Sequence, residues 1–139
     1  MTTPRHPINV AVPDDYQGVA MSIADWSKVS DRANVTVFRD HVADQDAVAE
    51  RLASFDAVCI MRERTRMPAW LLDRLPRSKF FASTGPRNAS IDLAPAAQRG
   101  ITIGHTGYTS APTIELTWAL ILASARRIPS EAASVRGTP

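Results

Sequence analysis

Residues 57–103 read AVCIMRERTRMPAWLLDRLPRSKFFASTGPRNASIDLAPAAQRGITI, a stretch that alternates between two kinds of segment. Ala57–Met61, Phe80–Ser83 and Ile101–Ile103 are short apolar runs, the pattern of strands covered on both faces. Between them, Pro68–Leu75 opens with proline, whose missing N–H costs nothing in a first helical turn. Asp92–Arg99 follows as a second helical segment, with Asp92 placed to cap it and Gly100 placed to end it. The same alternation extends toward the amino terminus. Ile8–Val12 and Val35–Phe38 read as strands, and Tyr16–Lys28 and Asp44–Ala53 read as helices. Five strands alternating with helices predict an α/β fold with a five-stranded parallel sheet and helices on both faces. Ligands of such sheets sit beyond the carboxyl ends of the strands. The loops of interest are therefore Pro13–Asp15, Arg62–Arg66, Thr84–Ser90 and His105–Pro112.

On the carboxyl side, a last helix is expected from Thr113 to Ile128. Ile114, Leu116, Trp118, Leu120, Ile121, Leu122 and Ile128 leave it almost no polar face. A helix that is apolar all round is a buried one, and a domain this small can cover only one side of it. The expected partner is a further domain or a second copy of the chain, which points to a homo-oligomer.

Composition narrows the function. The formal charge is only +2, and the basic residues are interleaved with Asp and Glu, so no nucleic-acid footprint is read. The apolar stretch near Trp118–Ala125 is too short for a bilayer, which needs about 20 residues, and no secretory signal is read, so a cytoplasmic setting is expected. Cys59 is the single cysteine, lies within an apolar run, and reads as a buried structural thiol. His6, His41 and His105 stand far apart without metal-ligand spacing. G-x-G-x-x-G is absent, and Gly104-His-Thr-Gly107 has the wrong spacing. The loop Pro13-Asp14-Asp15-Tyr16 is acidic and would repel phosphate. A receiver domain would need an Asp where Arg62 stands and a Lys where His105 stands.

A more specific signal lies in the order of Met61-Arg62-Glu63-Arg64-Thr65, Leu75-Pro76-Arg77-Ser78-Lys79-Phe80, Ser83-Thr84-Gly85-Pro86-Arg87-Asn88-Ala89-Ser90-Ile91-Asp92, Gly100-Ile101-Thr102-Ile103 and Glu115-Leu116-Thr117-Trp118-Ala119. This order resembles the D-isomer-specific 2-hydroxyacid dehydrogenases, including phosphoglycerate dehydrogenase-like members. The resemblance implies a flavodoxin-like substrate-binding domain over residues 1–112. It implies an interdomain connecting helix over residues 113–139, and a Rossmann NAD(P)-binding domain that lies outside this chain. The family's catalytic His, Glu and Arg are then outside it too. The chain alone is expected to bind no NAD or NADP and to turn over no substrate, and no metal is expected.

Within the chain, the resemblance directs attention to Arg62, Thr84, Gly85, Arg87 and Asn88 as substrate-binding residues for a small 2-hydroxy or 2-keto acid. Backbone N–H groups of a strand-to-helix loop can hold a carboxylate. The family's amides fall by position on Pro86 and Arg87, and Pro86 has no N–H to give. Arg62 could meet the acid's charged end, or pair with Glu63, Asp73 or another nearby carboxylate. Thr84, at a strand end, reads more readily as structural, and so does Glu115, expected in the first turn of the last helix where a carboxylate favours the dipole. Two readings outside catalysis stay open: a non-catalytic binder of a small acid, and a self-associating interaction domain.

Overall fold

The structure is a computed structural model that describes residues 6–137. Strands β1 (Ile8–Val12), β2 (Ala33–Val37), β3 (Ala57–Ile60), β4 (Phe80–Ser83) and β5 (Thr102–His105) form one sheet in the order β2-β1-β3-β4-β5. Every neighbouring pair is parallel. The expected five-stranded parallel α/β sheet is thus present, and its order places the chain reversal between β1 and β3. Crevices open at such reversals. The chain divides into two compact units, residues 1–107 and residues 108–139.

In the first unit, the larger core lies on one sheet face. Ala11, Val58, Ile60 and Phe81 from the strands meet Val48, Ala49 and Leu52 of α2 (Gln45–Leu52) there. Leu71 and Leu72 of α3 (Ala69–Leu72) and Ala96 of α4 (Leu93–Gln98) complete this cluster. The spacing of Val48, Ala49 and Leu52 puts all three on one helix face. The opposite sheet face carries a smaller cluster, Val10, Ala33 and Ala57, with Val29, Val35 and Cys59 packed on it. Burial raises the pKa of the Cys59 thiol, so it stays protonated at neutral pH.

Three expected helices differ in detail. Tyr16–Lys28 is not one helix but α1 (Ala20–Ile23) followed by a 3₁₀ turn, Trp26–Lys28. The cause is two competing caps. The Asp15 carboxylate accepts from Val19 N and Ala20 N, both at 3.1 Å, which fixes the first start. The Asp25 carboxylate accepts from Ser27 N at 3.2 Å and from Ser27 Oγ at 2.5 Å, which starts the second turn after the extended Ala24. Asp92 stands at the head of α4 but does not cap it. Its carboxylate accepts from Ala69 N at 2.8 Å and so caps α3 from another element. Gly100 does end α4, at φ 69°, with its N–H donated to Ala97 O. Ile101 N still donates to Ala96 O, so β5 begins one residue later than its apolar run suggests.

The second unit contains α5 (Ala111–Ala125) and α6 (Ile128–Val135). The expected helix Thr113–Ile128 is α5, which begins two residues earlier and ends three residues earlier, and a further helix, α6, follows it. Arg127 at φ 52° separates them, and Pro129 sits in the first turn of the new one. No residue of α5 is buried; Leu116, Trp118 and Leu120 are each about 60% exposed. Glu115 lies past the first turn, so it does not serve the helix dipole there. Among the described residues, no helix is long and apolar enough to cross a membrane.

Candidate substrate site

Two loops at the carboxyl ends of β3 and β4 are stitched together around Arg62. Arg62 N donates to Thr84 Oγ1 at 2.9 Å, and Asn88 Nδ2 donates to Arg62 O at 2.7 Å. Asn88 also donates to Ser83 Oγ at 3.1 Å and accepts from Ser90 N at 2.9 Å. The β3–β4 register, Ile60 opposite Ser83, is what brings these loops level. Arg62 adopts φ 52°, a left-handed conformation that costs a non-glycine residue roughly 1–2 kcal/mol. Such strain persists where neighbours hold it, and it concentrates at functional sites. Here the neighbours are the Thr84 hydroxyl and the Asn88 amide.

The consequence is a guanidinium held beside Gly85. A side chain at Gly85 would begin 3.6 Å from Arg62 Nη1, and Gly85 itself sits at φ 94°, where L side chains are strained. Gly85 N donates to Thr106 Oγ1 at 3.0 Å, and Thr84 N donates to Ile60 O at 3.1 Å. Next to them opens a cleft of about 320 Å³, whose lining includes Gly85, Pro86, Arg87, Asn88, Ile103 and His105. Asp73 is bound by Arg99.

Of the five expected site residues, Arg62, Thr84, Gly85 and Asn88 are brought into direct contact, and Arg87 lines the same cleft. Their roles differ. Thr84 and Asn88 spend their polar atoms on other loop residues. Thr106 and Ser83 were not foreseen. The only sequence cue was their place at the ends of β5 and β4, and their partners depend on the pairing of those strands.

A second cluster joins two of the loops of interest, Pro13–Asp15 and Arg62–Arg66, in a way the sequence did not indicate. Asp14, 2% exposed and at φ 63°, gathers three loops. Its carboxylate accepts from Thr65 Oγ1 at 2.5 Å, His41 Nδ1 at 2.8 Å and the Tyr16 hydroxyl at 3.4 Å. Arg64 donates to Asp14 O at 2.6 Å and lies over the Tyr16 ring, 4.4 Å from its centroid. Desolvation and the Asp14 carboxylate raise the Tyr16 pKa, against the pull of Arg64, so the phenol remains a neutral donor.

The amino end of α1, where a phosphate would sit after β1, is already filled by the Asp15 carboxylate. Gly104 lies inside β5, and a side chain there would come within 2.9 Å of the Phe80 ring. Close packing accounts for this glycine without any phosphate. Among the described residues, no group of three His, Cys, Asp or Glu side chains could hold a metal ion.

Comparison with known proteins agrees with this architecture. Over 96 residues the chain is 30% identical to a glyoxylate reductase of Thermococcus onnurineus (strain NA1), covering 68% of this chain and 28% of that protein. The structure of a phosphoglycerate oxidoreductase from Vibrio cholerae o395 superposes with a TM-score of 0.79 at 33% identity. The TT0316 protein of Thermus thermophilus does so with a TM-score of 0.74 at 28% identity. Both matches cover 94% of this chain, but only 41% and 40% of those chains. The chain thus spans less than half the length of each of these relatives. Residues 19–133 match the family described as D-isomer specific 2-hydroxyacid dehydrogenase, catalytic domain, and the chain belongs to that family.

Proposed function

We propose that this chain is the substrate-recognition part of an NAD(P)-dependent oxidoreductase that interconverts a D-2-hydroxy acid and its 2-keto acid. One observation carries the reading: the Arg62 guanidinium, held in a strained backbone turn, lies beside Gly85, and Gly85 lines a cleft at the carboxyl end of the sheet. A planar guanidinium suits a carboxylate, which it can meet through two parallel N–H bonds. The Thr106 hydroxyl, 3.0 Å from Gly85 N, marks where a carboxylate oxygen would sit once that hydroxyl turns away. Arg87 adds positive charge in the cleft lining, and its backbone N–H is the one of the two expected amides that remains able to donate. Thr84 and Asn88 keep the two loops in register.

The nicotinamide would supply or accept the hydride at C2 of the acid, and that chemistry belongs to a domain other than the one described. This chain contributes orientation of the carboxylate and one wall of the cleft. The substrate unit extends to residue 107, five residues short of the expected boundary at 112, which would fall inside α5, and the unit that begins at residue 108 forms the connection to the nucleotide domain. The apolar side chains of α5, half or more exposed, support such a connection. A nucleotide-binding domain or a second copy of the chain would bury them.

Calorimetric titration tests the reading. Glyoxylate, the simplest 2-keto acid, should bind this polypeptide in the millimolar range. NADH should give no heat of binding, and a mixture of the two should show no loss of absorbance at the dihydronicotinamide band. NADH oxidation by this polypeptide would contradict the assignment of catalysis to other residues. Absence of glyoxylate binding would contradict the assignment of the site.

A further inference from the structure

We propose that Asp14 is a positioning residue: through Thr65 and Arg64 it holds the loop 61–66 in the conformation that sets the Arg62 guanidinium beside Gly85. The inference rests on the reading of Arg62 as the group that meets the substrate carboxylate.

A buried carboxylate is costly unless its oxygens are hydrogen-bonded, so a protein that keeps one at 2% exposure gains something from its partners. The partners of Asp14 come from three separate loops. Tyr16 belongs to its own loop after β1, His41 follows β2, and Arg64 and Thr65 follow β3. Two of these four lie two and three residues beyond Arg62. On the opposite side, Thr84 and Asn88 hold the backbone N–H and carbonyl of Arg62 itself. The loop is therefore clamped at both ends, by the β4 loop at Arg62 and by Asp14 at Arg64–Thr65.

The geometry of Asp14 matches that task. Its φ of 63° turns the chain so that its carbonyl meets Arg64 while its side chain meets Thr65. Arg64 is held a second time by the Tyr16 ring, which stands edge-on to His41 with centroids 6.3 Å apart. With the Nδ1 proton of His41 directed at Asp14, all three side-chain contacts of the carboxylate are donated to it. Removal of the Thr65 hydroxyl takes away the contact to the Asp14 carboxylate without touching Arg62, and leaves Arg64 on the Asp14 carbonyl.

The test compares Thr65→Val, which keeps the side-chain shape and removes the donor, with Thr65→Ser, which keeps the donor. Two quantities are read by nuclear magnetic resonance: glyoxylate affinity, and the Arg62 Nε–Hε resonance in the absence of ligand. Thr65→Val should weaken glyoxylate binding at least fivefold and shift or broaden the Arg62 resonance, while Thr65→Ser should stay within twofold of wild type. A Thr65→Val chain with unchanged affinity and an unchanged Arg62 resonance would overturn the proposal. If Thr65→Val does not fold, Arg64→Met at an exposed position decides, with the same direction and a smaller change expected. A wild-type chain that ignores glyoxylate would sink the substrate reading, and the ligand-free Arg62 resonance would then decide the positioning claim by itself.

Discussion

Phe81→Ala should lower the melting temperature of the sheet-bearing unit by roughly 12–40 °C, because such truncations cost about 3–5 kcal/mol and each kcal/mol moves a domain of about 100 residues by about 4–8 °C. Phe81 is fully buried in the middle of β4, with Val58 opposite it on β3 and Ile103 opposite it on β5. It belongs to the cluster on which α2, α3 and α4 pack, so the cavity would open where three helices and the sheet meet. Small domains hold only about 5–15 kcal/mol in reserve. The variant would thus lose about a fifth or more of its stability. Phe81→Leu, which keeps most of the volume, should fall by less than half as much. Thermal unfolding followed by circular dichroism reads both, and a drop under about 5 °C for Phe81→Ala would show that this face is not the main core.

The second large effect concerns binding. Arg62→Gly should weaken glyoxylate binding at least tenfold while leaving thermal stability within about 1 kcal/mol of wild type. The loss follows from removing a charge-assisted contact, worth about 1.5–3 kcal/mol. The unchanged stability follows from the backbone. Glycine accepts φ 52° without the left-handed penalty that arginine bears, and this offsets its greater freedom in the unfolded chain. Arg62→Lys should fall between the two, since it keeps the charge and loses the fork. Calorimetry measures the affinities. An Arg62→Gly chain that binds glyoxylate as well as wild type would remove Arg62 from the site. One that loses binding only by unfolding would make it structural.

The contrast between these residues explains what the sequence revealed. Phe81 lies in a short apolar run, and such runs located all five strands to within two residues at either end, because burial on both faces leaves little room for polar side chains. Helix ends were harder to read. Asp92 has a capping residue's identity and position, yet its carboxylate serves Ala69, a partner brought near by the Met67–Ile91 bridge and not by sequence proximity. The break at Arg127 had no cue other than Pro129 two residues later, since left-handed arginine is not written into composition. At the site, Arg62, Thr84, Gly85 and Asn88 could be selected from strand-end loops and from the family resemblance. Their division into ligand and scaffold could not, because it depends on which polar atoms are already spent. The Asp14 hub was invisible for a related reason. Residues 14, 41 and 65 meet only because β1 lies between β2 and β3, an order that single-chain periodicity does not specify.

The central claim is that the strand-end loops around Arg62 recognise the carboxylate of a small 2-keto acid. Residue-resolved amide shifts during a glyoxylate titration test it most directly. The account predicts shifts concentrated in residues 62–66, 83–88 and 105–107, with α2 and the amino ends of the strands unmoved. Shifts scattered over the surface, or centred away from Arg62 and Gly85, would contradict it.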